Sequence, residues 1–152
     1  MKNFIFAYIL FALLLTVNAA PFQLNKRAIT FGPCNTTDLG DLLNVKLGID
    51  PPESEQNELF DVSGNLTKYD ITKNQTFLFI SYRGKDGYLL SSPKIRYFNY
   101  STKVGNPFNI SVSVPTPELP DSYLLKVAVG DPAYDPTLAF PFFACVTNLA
   151  FF

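Results

Sequence analysis

Apolar and polar side chains alternate over residues 43–49, where Leu, Val, Leu and Ile stand between Asn, Lys and Gly. A period of two directs alternate side chains to opposite faces of a strand, so this segment predicts a strand with one face in a core and the other in water. Asp50-Pro51-Pro52 follows directly and ends it. The leucines at positions 39, 42, 43 and 47 would also fit one side of a helix. The two prolines and the flanking residues favour the strand.

The same alternation recurs over residues 60–67 and 108–114 and predicts two more half-buried strands. Residues 76–82 are apolar in both phases, which predicts a central strand covered on both faces or one with an aromatic outer face. Further strands are predicted over residues 95–98, 123–129 and 142–149. Turn residues, among them the tight turn Gly84–Gly87, interrupt the apolar runs roughly every 8 to 14 residues. This spacing predicts an all-β sandwich or barrel of seven to eight strands.

The N-terminus has the pattern of a secretory signal peptide. A short basic start, Met1–Asn3, precedes an apolar run over Phe4–Val17, and small residues follow. The run has about 14 residues, whereas about 20 are needed to cross a bilayer. We therefore predict a signal peptide over residues 1–19, cleaved after Ala19, and a protein that is secreted or resides in the secretory or vacuolar lumen.

A dibasic pair, Lys26-Arg27, follows the predicted signal peptide. Processing proteases of the secretory pathway cut after such pairs, which predicts a propeptide over residues 20–27 and a single domain over residues 28–152. An ordinary exposed basic pair is the alternative. Residues 28–152 carry nine basic and thirteen acidic side chains, a net charge of −4. This acidic balance argues against a nucleic-acid partner, which requires clustered Lys and Arg.

In a secreted protein, the two cysteines of the chain are expected to be oxidised. In an oxidising compartment Cys34 and Cys145 are predicted to form one disulfide rather than a redox pair, which usually has a Cys-x-x-Cys spacing. The chain has no histidine, which removes Ser-His-Asp and Cys-His catalysis and every His-ligated metal site. We predict no metal site and no cofactor.

In a secreted protein, Asn-x-Ser/Thr sequons are candidate sites of N-linked glycosylation. The candidate glycosylation sites are Asn35, Asn65, Asn74, Asn99 and Asn109. Chance predicts roughly one or two sequons at this composition, so the excess predicts a glycoprotein. The alternative is that Asn, Ser and Thr are simply frequent on the surfaces of β-rich secreted proteins.

Catalysis has little support in the sequence. Glu53, Glu55 and Glu58 cluster in a connection rich in Pro, Ser and Asn, which predicts a solvated loop. A carboxylate-based hydrolase would need two acidic side chains facing each other across a cleft, and spacing does not reveal such a pair. We therefore predict that the protein is not an enzyme and has no catalytic residue.

Large aromatic side chains are abundant on the predicted strands, in a chain with 15 Phe and 8 Tyr. A core of such rings is either tightly packed or arranged around a cavity. The residues by themselves leave both arrangements open, and without further information they indicate a secreted β-sandwich.

Several segments resemble the lipid-recognition family called ML domains. They are Phe31–Cys34, Leu43–Pro52, Leu59–Thr67, Pro107–Ile110, Pro115–Pro120, Ser122-Tyr123, Lys126–Asp131 and Phe143–Val146. The chain is most similar to the fungal phosphatidylglycerol/phosphatidylinositol transfer proteins, and the family also includes the sterol carrier of Niemann-Pick type C disease. The resemblance covers nearly all of residues 28–152.

The resemblance implies an immunoglobulin-like β-sandwich of two antiparallel sheets, with an internal apolar cavity for a lipid and a disulfide that matches Cys34 with Cys145. The inward phases of the strands predict the lining of this cavity as Phe60, Val62, Leu66, Phe77, Phe79, Ile95, Tyr97, Phe108, Ile110, Val112, Tyr123, Leu125 and Val127. Candidates for contact with a polar head group are Lys85, Tyr88 and Lys103. Two further disulfides that are common in the family are missing, so we expect a looser pocket mouth.

The function implied by the resemblance is that of a secreted monomer that binds a phospholipid or sterol between its sheets. Such a protein would transfer its ligand between membranes through transient membrane contact. The alternative is a secreted β-sandwich that acts as an interaction module at the cell surface or host interface, without lipid transfer.

Overall fold

The computed structural model describes residues 28–34, 41–132 and 142–148. Its strands are β1 (Phe31–Pro33), β2 (Asn44–Leu47), β3 (Asn57–Asn65), β4 (Phe77–Gly84), β5 (Lys94–Tyr97), β6 (Pro107–Pro115), β7 (Tyr123–Gly130) and β8 (Phe142–Asn148). The predicted signal peptide, the predicted propeptide and the sequon at Asn35 lie outside the described residues. Within those three ranges, no helix has the length and apolar character needed to span a membrane.

The strands form two antiparallel sheets, which confirms the predicted β-sandwich. The five-stranded sheet has the order β1-β8-β7-β4-β5, and the three-stranded sheet has the order β2-β3-β6. All seven strands expected from the hydrophobic pattern are present. Strand β1 was not predicted, because its three residues, Phe-Gly-Pro, are too few to display a period and include two residues that are rare inside strands.

Apolar side chains from both sheets meet in one core. In the three-stranded sheet, Phe60 of β3 pairs with Val112 of β6 on the inner face. In the five-stranded sheet, Ile80 of β4 pairs with Val127 of β7 on the face that meets them. Burial of each such side chain stabilises the fold by about 1.5–3 kcal/mol. The alternation that predicted β3 and β6 therefore assigns their inner faces correctly, and the inward phase predicted for β7 is also the one that faces this core.

Strand β4 is covered on both faces, as its sequence predicts. Leu78, Ile80 and Tyr82 belong to the core between the sheets. Phe77 and Phe79 point to the other side, where they form a second buried cluster. That cluster also contains Ala128 of β7, Phe142 and the two cysteines.

The second cluster corrects part of the predicted cavity lining. Phe77 pairs with Tyr97, and Phe79 pairs with Ile95, so all four side chains lie on the outer face of the five-stranded sheet. The prediction that they face the space between the sheets is wrong. Because residues 76–82 are apolar in both phases, the period of two could not tell which phase of β4 faces the core.

The predicted tight turn after β4 is confirmed. The Gly87 amide donates to the Gly84 carbonyl at 2.9 Å, which closes a four-residue turn. Gly87 has a φ of +83°, a conformation that glycine adopts without a steric penalty. The turn places Lys85 and Tyr88 at the end of β4 that contains Tyr82.

The predicted disulfide between Cys34 and Cys145 is present, with the two Cα atoms 5.6 Å apart. Cys34 directly follows β1, and Cys145 lies in β8. These strands are neighbours in the five-stranded sheet, so the disulfide ties the short β1 to its only partner strand among the described residues. A disulfide is compatible with an extracellular or secretory location.

Candidate ligand-binding interior

Nine of the thirteen predicted lining residues belong to the core between the sheets or pack against it. They are Phe60, Val62, Leu66, Phe108, Ile110, Val112, Tyr123, Leu125 and Val127. They come from β3, β6 and β7 and from Leu66 just beyond β3. The structure therefore brings together the predicted lining residues of β3, β6 and β7, with Leu66, and separates from them the four on β4 and β5.

A carboxylate interrupts the apolar inner face of β3. Glu58 lies in the same phase as Phe60 and Val62 and is only 1% exposed. Its Oε1 accepts hydrogen bonds from the backbone amides of Gly48, at 2.7 Å, and Ile49, at 3.0 Å. Its Oε2 is buried and has no hydrogen-bond partner among the described residues.

The burial of Glu58 corrects the prediction that Glu53, Glu55 and Glu58 share a solvated loop. Glu53 and Glu55 are exposed, as expected, but Glu58 is part of β3. Its spacing of two residues from Phe60 was the signal that could have found it. The Pro-, Ser- and Asn-rich residues that precede β3 concealed that signal.

Tyrosines of the five-stranded sheet lie near this carboxylate. The Tyr82 hydroxyl and the Thr116 hydroxyl are 3.2 Å apart and share a hydrogen bond. The Tyr82 ring makes an edge contact with Phe60, with centroids 6.5 Å apart, and a tilted contact with Tyr123 at 6.3 Å. We call the group of Glu58, Tyr82, Thr116 and Tyr123 the Glu58 end of the interior.

Burial and negative charge act together on the phenols of the Glu58 end. Burial, with a smaller contribution from the Glu58 carboxylate, raises the pKa of Tyr82 to about 12, although its hydrogen bond with Thr116 acts in the opposite direction. The pKa of Tyr123 is also raised, by burial first and then by Asp50 and Glu58. Both phenols therefore stay protonated at neutral pH and keep a hydroxyl hydrogen to donate.

The opposite end of the interior is aromatic. Phe98 and Phe108 meet edge to face with centroids 5.7 Å apart, and Tyr69 stacks on Phe143 at 4.8 Å. Leu66 and Ile71 are buried in the same region. Along the strand direction the interior therefore passes from a carboxylate with hydroxyl groups to a group of aromatic rings.

The other buried acids of the described residues have structural partners. Asp41 accepts from the amide of Thr67 at 2.9 Å and from its hydroxyl at 2.8 Å. Asp131 accepts from Gln75 and from the buried hydroxyl of Thr76. Over the described ranges, no group of three or more Cys, Asp or Glu side chains is placed to hold a metal ion.

The predicted head-group contacts do not converge on one site. Lys85 and Tyr88 are exposed and follow the end of β4. Lys103 is exposed in the segment that bridges Thr102 to Ile71, near the start of β4. Its Nζ donates to Asp70 at 2.8 Å, which raises the pKa of Lys103 and lowers that of Asp70.

One edge of the five-stranded sheet is both apolar and basic. The exposed side chains Tyr88, Leu89, Ile95 and Tyr97 lie on or beside β5, and Tyr88 is 76% exposed. Residues 85–97 carry three basic side chains and one acidic side chain, a net charge of +2, whereas residues 28–152 as a whole are acidic. We call this region, residues 85–97, the β5 edge surface.

The four described sequons have exposed asparagines. They are Asn65, Asn74, Asn99 and Asn109. Asn65 and Asn109 lie at strand positions that alternate with buried residues, as predicted from the pattern. Their side chains are therefore accessible to a glycosylating enzyme.

A scan of the chain against protein-family models found no match, and a search of curated proteins also found none. The likeness to ML domains thus rests on the sequence segments named above and stays a prediction.

Proposed function

We propose that this chain is a secreted lipid-binding protein that holds a phospholipid or sterol between its two sheets and transfers it between membranes. In this proposal it acts without catalysis and without a cofactor, as a monomeric and glycosylated carrier. The ligand tail would lie among the nine predicted lining residues that belong to the core between the sheets or pack against it. Eight of them are on the inner faces of β3, β6 and β7, and the ninth is Leu66.

The physical reason for a carrier is the insolubility of lipids. Transfer of an acyl chain of about 16 methylenes through water costs roughly 13 kcal/mol, at about 0.8 kcal/mol per methylene. An apolar space between two sheets offsets that cost. No reactive side chain is required for it.

The observation that supports the proposal most strongly is the lengthwise polarity of the interior. The inner faces are apolar and aromatic over most of their length and polar at the Glu58 end. An amphipathic ligand has the same distribution, with a long apolar body and one polar terminus.

Mass spectrometry of lipid that co-purifies with the secreted, disulfide-bonded protein tests the proposal. We expect a phospholipid or sterol at up to one molecule per chain. Incubation of delipidated protein with vesicles of mixed phospholipid and sterol, followed by separation, should give the same result. If neither experiment yields protein-bound lipid, lipid carriage is wrong.

A tryptophan placed inside the interior separates a carrier from a solid core. The chain contains no tryptophan, so Val112→Trp also provides a single tryptophan whose fluorescence can be followed. A carrier should keep its fold and lose lipid uptake, whereas a closely packed core should unfold from overpacking. Ser113→Trp is the matched control, because Ser113 is the next residue of β6 and is exposed on the opposite face.

The second candidate function is an interaction module without lipid transfer. The β5 edge surface favours it, because exposed apolar side chains with polar neighbours are typical of contact sites. In a carrier, the same surface would make the transient membrane contact, since its basic residues attract anionic lipids. Co-sedimentation with anionic vesicles at two salt concentrations distinguishes the two: salt-sensitive binding supports the carrier, and no vesicle binding favours the interaction module.

A further inference from the structure

We infer that the Glu58 end recognises a hydroxyl group of an uncharged amphipathic ligand, such as a sterol or a long-chain alcohol, through Glu58 Oε2. This inference rests on the proposed lipid-carrying function. It narrows the ligand from lipids in general to those whose polar end donates a hydrogen bond and carries no negative charge.

The first argument is the hydrogen-bond state of the Glu58 carboxylate. Oε1 already accepts from the amides of Gly48 and Ile49, whereas Oε2 has no partner among the described residues although it is buried. A buried carboxylate oxygen without a donor is energetically unfavourable. A donor on a ligand would relieve that cost, and the backbone amides hold the carboxylate in a fixed orientation for it.

The nearby hydroxyl groups do not supply this donor. Tyr82 and Thr116 share a hydrogen bond with each other, and neither bonds to Oε2. One of the two hydroxyls donates within that pair, so the other keeps its hydrogen. A ligand hydroxyl at this place could therefore donate to Glu58 and also accept from the Tyr82–Thr116 pair.

Charge at this end selects against anionic head groups. Glu58 and Asp50 both raise the pKa of Tyr123 through their negative charges, and the groups that contact the carboxylate are backbone amides rather than cations. A phosphate or carboxylate head would lie beside an existing negative charge. Like charges in such a site disfavour binding.

The apolar part of the ligand has a matching environment. From Glu58 to Gly64, β3 advances by six residues, or about 20 Å at about 3.3 Å per residue. Phe60 and Val62 line this path and are fully buried. A ring system or alkyl chain whose hydroxyl meets Glu58 would extend along β3 toward Phe98 and Phe108.

Two ligand pairs test the inference. Cholesterol is compared with its 3-methyl ether, and hexadecanol with hexadecyl methyl ether. In each pair the ether has a methyl group in place of the hydroxyl hydrogen, so it can accept a hydrogen bond but cannot donate one. We expect the wild-type protein to bind at least one alcohol about tenfold or more tightly than its ether, since hydrogen bonds to charged groups are among the strong ones. Hexadecanoate should bind more weakly than hexadecanol.

The variant Glu58→Gln converts the unpartnered acceptor into a donor. Its amide oxygen can still accept from Gly48 and Ile49, while its NH2 group replaces Oε2. We expect the preference for the alcohol to fall to about one or to reverse toward the ether. Glu53→Gln is the matched control, because Glu53 is exposed in the preceding connection, and it should keep the wild-type preference.

The outcomes separate this inference from the proposed function. Equal binding of alcohol and ether by the wild-type protein, or an unchanged preference in Glu58→Gln, overturns the inference and leaves lipid carriage standing. Binding of none of these ligands and of no phospholipid overturns lipid carriage itself. If Glu58→Gln does not fold, the two wild-type comparisons, alcohol against ether and alcohol against hexadecanoate, decide the inference.

Discussion

Single side chains give the interior its polarity. Glu58 is the one charged residue that β3 places in phase with its buried apolar residues. A buried carboxylate costs several kcal/mol unless its oxygens are paired. The amides of Gly48 and Ile49 satisfy one oxygen, so the residue has a structural role at the end of β2 in addition to the binding role that we propose.

Tyr82 makes the stability of the protein sensitive to high pH. Burial raises its pKa from 10.0 to about 12 in the folded state, so the folded protein holds this proton more tightly than the unfolded chain. The free energy of unfolding should therefore be unaffected by this group below about pH 10. It should fall by up to about 1.4 kcal/mol per pH unit as the pH rises toward 12.

Denaturant unfolding of the wild-type protein and Tyr82→Phe between pH 8 and pH 12 measures this effect. The variant should lose stability less steeply above pH 10. Some slope should remain, because the pKa of Tyr123 is also raised by burial. Parallel curves for the two proteins would contradict the assignment of the effect to Tyr82.

Among the secondary-structure elements, β4 is flanked by strands at both edges and packed on both faces. It lies between β7 and β5, and its alternate residues enter two different clusters. On the outer face, the Phe79 ring is 4.9 Å from that of Phe142. Lys126 lies 4.5 Å above Phe142, and burial, with the nearby charge of Arg83, lowers the pKa of Lys126. Both faces of β4 therefore contribute to the stability of the sheet.

Alanine substitutions on β4 and β5 test this two-faced packing. Ile80→Ala should reduce the free energy of unfolding by about 2–5 kcal/mol, and Phe79→Ala by about 3–5 kcal/mol, because each side chain is buried, at 1% and 2% exposure. Tyr97→Ala, at a position that is 49% exposed, should cost less than about 1 kcal/mol. Chemical denaturation measures all three, and a loss below 1 kcal/mol for Phe79→Ala would show that the outer face is not packed.

At the scale of the whole molecule, the disulfide joins segments that lie far apart in the chain. Cys34 and Cys145 are separated by 111 residues. Closing so long a loop restricts the unfolded chain strongly, and a native disulfide of this kind contributes about 2–5 kcal/mol. It also anchors β1, which has only three residues and, among the described strands, pairs only with β8.

Removal of the disulfide should therefore destabilise the protein without changing its fold. The double variant Cys34→Ala/Cys145→Ala should lose about 2–5 kcal/mol in denaturant unfolding at neutral pH. Alanine is suitable because Cys145 is buried beside Ala128. Wild-type protein kept reduced should be destabilised to a similar degree, and a loss below 1 kcal/mol in both would contradict the structural role.

The inner faces of some strands could be predicted from the sequence, whereas the orientation of β4 and the burial of Glu58 could not, and each outcome has a physical reason. Alternation identified β3 and β6 and their inner faces, because the two phases of each of these strands differ in polarity. It could not orient β4, whose phases are both apolar. It missed Glu58, because a single carboxylate next to a polar connection resembles the residues before it more than the rest of β3.

The sequence by itself determined seven of the eight described strand segments, the turn at Gly84–Gly87, the cysteine pair and the acidic balance of residues 28–152. These properties depend on local periodicity, on backbone preference or on simple counts. Only the tertiary structure decided the order of strands in each sheet, the outward direction of Phe77 and Phe79, and the burial of Glu58 opposite Tyr82. Those features depend on contacts between residues distant in the chain, and a period of two defines two faces of a strand without stating which neighbour covers each one.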